Sequence, residues 1–144
     1  MKCIRFHEHG GPEVLRVEDC DPGRTGTGEA QVRHTAIGLN YIDVYDRTGL
    51  YPGELPSGVG REAAGVITAL GRNVSGWRVG ARVAYVDSRP GAYCEVRNVP
   101  VERLVKIPRD LADEQGEIRC HCSVKTPRTI TATPASIAPT RITL

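Results

Sequence analysis

Apolar and polar positions alternate in short runs over most of the chain. KCIRF (2–6), EVLRVED (13–19), AQVRHTAIGL (30–39), GVITAL (65–70), RVAYV (82–86), AYCEVR (92–97) and RLVKI (103–107) each read as a strand. Gly/Pro-rich stretches such as HGGPE and PGRTGTGEA separate them as turns. Strands recurring at intervals of about 10 residues predict a mainly β domain, a small barrel or sandwich. One segment breaks the alternation. In NYIDVYDRTG (40–49), Tyr41, Val44, Tyr45 and Thr48 fall at i, i+3, i+4 and i+7, which predicts one short helix. Asn40 suits its N-cap, Asp43 the third helical position, and Gly49 the C-terminal stop.

The pattern fails after Gln115. Residues 116–144 contain six Thr, three Pro and no aromatic residue, and show neither alternation nor a helical stripe. The expected organisation is a domain over 1–115 and an irregular, disordered tail over 116–144.

Composition adds limits rather than a function. The chain has 144 residues, the size of one domain, and 40% hydrophobic residues, enough for a packed core. Its net charge of +2 makes no case for nucleic acid or an anionic membrane as a partner. No apolar run approaches the roughly 20 residues that span a bilayer, and MKCIRFHEHGG has no signal-peptide core. Five cysteines, odd in number and irregular in spacing, suggest reduced thiols and a cytoplasmic location. Cys120-His121-Cys122 has no second ligand pair and so lacks the spacing of a zinc module.

Gly58-Val59-Gly60-Arg61-Glu62-Ala63 satisfies the G-x-G-x-x-A form of a dinucleotide-binding loop. That loop needs a strand before it, a helix after it and an acid about 20 residues on. Here a Pro-rich loop precedes, the strand-like AAGVITAL follows, and no acid lies between Glu62 and Asp87. The motif is therefore an entry to a strand and not a phosphate cradle. Glu62 should be partly buried with a cationic partner, either as a structural ion pair or at an active-site rim.

FHEHGGPEVL, AIGLNYIDVYDRTGLYPGELPSGVGREAAGVI, LGRNVSGWRVGARVAY and GAYCEVRNVP, in that order, resemble the quinone oxidoreductase branch of the zinc-free medium-chain dehydrogenase/reductases. The resemblance covers about residues 1–115. It implies a GroES-like, partly open β-barrel with a short helix. Asn40 and Arg61 stand where zinc-dependent relatives carry Cys and His, and neither side chain is a useful zinc ligand. The resemblance implies no metal, no catalytic nucleophile, and hydride transfer from NADPH to a quinone or enone. It places Asn40, Tyr41, Ile42, Asp43, Val44 and Tyr45 at the nicotinamide. Tyr51 and Arg61 are placed near the substrate. From periodicity alone Tyr41 and Tyr45 could equally be core aromatics.

Members of this branch continue into a Rossmann domain and are often homodimers. Residues 116–144 do not read as one. A frameshift or misassigned gene end is one explanation, and a non-catalytic GroES-like binding module is the alternative. The 144-residue chain by itself is expected to lack reductase activity.

Overall fold

The computed structural model describes residues 1–112. The proposed tail over 116–144, with Cys120-His121-Cys122, lies outside the described residues.

The fold is mainly β. Among the described residues, eight strands and one α-helix follow in the order β1 (Lys2–Phe6), β2 (Arg16–Asp19), β3 (Glu29–Ile37), α1 (Tyr41–Thr48), β4 (Ser57–Gly58), β5 (Glu62–Leu70), β6 (Arg82–Val86), β7 (Val96–Pro100) and β8 (Leu104–Lys106). They form two sheets. One has the order β2-β1-β4, and the other the order β7-β3-β5-β6-β8. The pairings within both are antiparallel.

Alternation explains which side chains enter the core. Val32, Ala63, Ile67, Val83, Tyr85, Val99 and Leu104 point inward from the larger sheet, and Phe6 meets them from β1. Burying each large aliphatic or aromatic side chain stabilises the fold by about 1.5–3 kcal/mol. The opposite face of the larger sheet carries a stripe of small residues. Ala36 pairs with Ala64, and Ala64 with Ala84. Ile107 and Leu111 pack on this stripe as the chain leaves β8.

Several strand boundaries differ from the sequence reading. The run EVLRVED splits, because Pro12 starts a 3-10 turn over Pro12–Val14 that delays β2 to Arg16. In AYCEVR, residues before Val96 form a bend and not a strand. Ile4 in β1 donates its N–H to Tyr93 O at 2.8 Å, and His34 in β3 donates its N–H to Glu95 O at 2.9 Å, so this segment bonds both sheets in turn. GVITAL is the end of a longer strand that begins at Glu62.

The cysteine expectation also needs correction. Cys3 and Cys20 are joined by a disulfide. Antiparallel pairing of β1 and β2 holds their Cα atoms 6.0 Å apart, within the span of that bond. Cys94 is a buried free thiol, pushed up to about 11 by burial, which makes it a poor nucleophile at neutral pH.

The core contains one polar network. His34 donates from Nδ1 to Cys94 O at 2.7 Å, since a carbonyl can only accept, and Nε2 then accepts from the Tyr85 hydroxyl at 3.0 Å. The Arg97 guanidinium lies 5.7 Å from the centre of the Tyr85 ring and bonds Asp87 Oδ2 at 3.3 Å. Burial lowers the His34 pKa to about 4, with the Arg97 charge acting in the same direction. His34 is therefore a neutral structural histidine.

An aromatic face on an inverted helix

Helix α1 follows β3, and its start lies beside Glu62, where β5 begins. Its start is fixed by short-range polar contacts. The Asn40 N–H donates to Asp43 Oδ2 at 2.9 Å, and the Asn40 amide donates from Nδ2 to Glu62 Oε1 at 2.7 Å. Gly38 is needed beside this pair, since a Cβ there would sit 2.7 Å from Glu62 Cδ. At the other end Gly49 takes the left-handed conformation (φ 79°) and stops the helix.

The helix is inside out. Its buried residues are Asp43, Asp46 and Arg47, all charged. Each is met by the surrounding strands and loops. The Tyr93 hydroxyl donates to Asp43 Oδ2 at 3.0 Å. Arg61 grips Asp46 with Nε at 3.0 Å from Oδ2 and Nη2 at 2.8 Å from Oδ1, while its Nη1 bonds Ser88 O. Arg47 Nη1 bonds Gly10 O. Burial raises the Asp43 pKa, against the lowering effect of its hydrogen bonds from Asn40 and Tyr93. Burial and the neighbouring Asp43 carboxylate both raise the Tyr93 pKa.

The apolar stripe, by contrast, faces outward. Tyr41 is 72% exposed, and Val44 and Tyr45 are half-buried. Tyr45 is edge-on to Tyr41 at 5.1 Å and to Tyr51 at 5.4 Å between ring centres. Leu39, Leu50 and Leu55 are exposed on the same stretch of chain. Large apolar side chains left uncovered together mark a surface that meets something else.

Of the site residues expected from the sequence, the structure brings Tyr41, Tyr45 and Tyr51 into one aromatic group. Asn40 lies next to Glu62 at the helix start, and Ile42 is half-buried. Asp43 turns inward to Tyr93, and Arg61 is engaged by Asp46 and Ser88. Glu62 is buried, and its Oε1 accepts from the Asn40 amide. Asp46 and Tyr93 were not foreseen. Asp43, Asp46 and Arg47 do fall at i, i+3 and i+4, so a charged stripe was readable, but Tyr93 is fifty residues from Asp43 and gave no local signal.

Gly58 lies in β4 and Gly60 takes φ 86°, after which the chain enters β5 directly. The G-x-G-x-x-A stretch thus leads into a strand. A Cβ at Gly60 would strike the Tyr93 ring, so this glycine lets Tyr93 reach Asp43.

Two open sheets around a shared core, with one helix at the sheet end, define a GroES-like domain. Residues 26–109 match the alcohol dehydrogenase GroES-like domain family, and the chain belongs to that family. It is 47% identical over 114 residues to a quinone oxidoreductase of Salmonella typhimurium, covering 78% of this chain and 35% of the relative. It is 41% identical over 110 residues to a 2-haloacrylate reductase of Burkholderia, covering 74% of this chain and 33% of that protein. The solved Escherichia coli quinone oxidoreductase complexed with NADPH superposes with a TM-score of 0.78 at 43% identity, over 81% of this chain and 36% of that one. The chain spans about a third of the length of these relatives. Among the described residues, no helix is long and apolar enough to cross a membrane.

Proposed function

We propose that this chain forms the substrate-side wall of a cytoplasmic, zinc-independent reductase that uses NADPH to reduce a quinone or an activated alkene. The observation that carries the reading is the inverted helix. Ordinary packing would bury Tyr41, Val44 and Tyr45 and expose Asp43, Asp46 and Arg47. The reverse arrangement leaves a group of edge-packed tyrosine rings accessible to solvent.

That surface fits the nicotinamide end of the cofactor, with Tyr45 central and Tyr41 and Tyr51 beside it. NADPH, when bound, supplies the hydride. The protein supplies orientation and a dry wall. Asn40 and Glu62 hold the start of α1, while Asp46 and Arg61 hold its middle, so the tyrosine edges keep a fixed position. Arg61 acts here as a positioning residue at the cleft, since its guanidinium is turned to Asp46 and Ser88. Similarity to a 2-haloacrylate reductase supports an electron-poor alkene as an acceptor alongside a quinone.

The test is a titration of the isotope-labelled chain with reduced nicotinamide mononucleotide, followed by NMR. Shifts confined to α1 and Tyr51, and lost in Tyr45→Ala, are expected. Shifts absent from α1, or unchanged in the variant, refute the reading.

A further inference from the structure

A second concave surface lies at the opposite end of the larger sheet. Arg61, Asp87 and Ser88 mark the α1 end, near the β5–β6 pairing of Glu62 with Val86. The second cavity is lined by Arg82, which lies four residues along β6 from Val86, about 13 Å away. Its volume is about 640 Å³, and its walls include Trp77, Arg78, Arg82, Lys106 and Arg109.

The charge of this wall is unusual for the protein. The whole chain has a net charge of +2, yet these residues place four cations around one concavity, with no acid among its described lining residues. Two of the cations are held in place. Arg82 donates to Leu111 O at 2.6 Å and to Pro108 O at 3.4 Å. Lys106 sits 5.5 Å above the centre of the Trp77 ring. Trp77 in turn packs against the core, which fixes the floor. Like charges that line one cavity repel one another, and a multiply charged anion relieves the repulsion while gaining charge-assisted hydrogen bonds. Guanidinium groups match tetrahedral oxyanions particularly well.

We propose that this cavity is a binding site for a small phosphate-type polyanion. The site stands apart from the aromatic face of α1 and does not depend on the reductase reading.

Trp77 is the single tryptophan of the chain, so intrinsic tryptophan fluorescence reports on this cavity alone. The experiment titrates the full chain with inorganic pyrophosphate, using sodium chloride at matched ionic strength as the control. A saturable fluorescence change is expected, weakening as salt rises. Arg78→Gln combined with Arg109→Gln should weaken binding about tenfold, as two charge-assisted contacts are lost. Both arginines are exposed, so the variant should keep its circular dichroism spectrum. Should the pair disturb the fold, Arg109→Gln alone gives the same direction at smaller size. No saturable change, an equal change with chloride, or undiminished binding by the folded variants overturns the proposal.

Discussion

Arg61→Ala removes the charge partner of a carboxylate that cannot reach water. The Asp46 side chain is 8% exposed and accepts from Arg61 Nε at 3.0 Å and Nη2 at 2.8 and 2.9 Å. Breaking a buried pair from the cation side leaves an uncompensated charge and should cost about 3–5 kcal/mol. Asp46→Ala is less severe. Arg61 is 22% exposed and its long stem can swing toward solvent, so the expected cost is about 1–2 kcal/mol. Removing both leaves no orphaned charge, and the double variant should recover about 2–3 kcal/mol relative to the sum of the singles. Urea unfolding followed by circular dichroism at pH 7 measures all four corners of the cycle. Additivity within about 0.5 kcal/mol, or a greater loss for Asp46→Ala than for Arg61→Ala, would show that the pair does not hold α1 as described.

Three further outcomes follow from the same structure. His34 has a folded pKa of about 4 against 6.5 unfolded, so the unfolded chain takes the proton first and stability falls as pH drops from 6.5 toward 4. Asp43, raised by burial, acts in the opposite sense in acid. The His34 effect is therefore read as the difference between the parent and His34→Gln, which should shrink by roughly 3 kcal/mol from pH 7 to pH 4, and a constant difference contradicts it. Tyr41→Ala should change stability by less than about 0.5 kcal/mol in a thermal melt, whereas Phe6→Ala, at a core position, should lose about 3–5 kcal/mol. Gly38→Ala should cost about 1–3 kcal/mol by urea titration, since its Cβ displaces the Glu62 carboxylate from the Asn40 amide.

The strand pattern was legible because period-2 alternation is a local property. It placed β1, β3 and β6 within two residues of their ends. It misplaced β2 and β7, where Pro12 and the bonds of Tyr93 and Glu95 to the two sheets override propensity. The helix was equally clear from its period and its end residues. What periodicity could not decide was which of its two stripes faces inward. Tyr41 and Tyr45 could be core or cofactor-facing, and nothing local marked Asp46 and Arg47 as buried. The structure buries the charged stripe because partners distant in the chain, Arg61 and Tyr93, supply the compensating charge and hydroxyl. The resemblance to the quinone oxidoreductase branch implied a GroES-like fold, and residues 26–109 match that domain family. The basic cavity at the far end drew no notice in the sequence, since Trp77, Arg82, Lys106 and Arg109 converge only through the β6–β8 pairing.

If the tyrosine face of α1 serves hydride transfer as proposed, this domain should support turnover when given a cofactor-binding partner. Residues 1–112 would replace the matching segment of the Pseudomonas aeruginosa quinone oxidoreductase, which is 48% identical over 116 residues. NADPH oxidation is then followed with a simple quinone. Turnover of about 1–100 per second is expected for the chimera, with at least a tenfold loss of kcat/KM in its Tyr45→Ala variant. A folded chimera that binds NADPH but leaves the quinone unreduced would contradict this proposal.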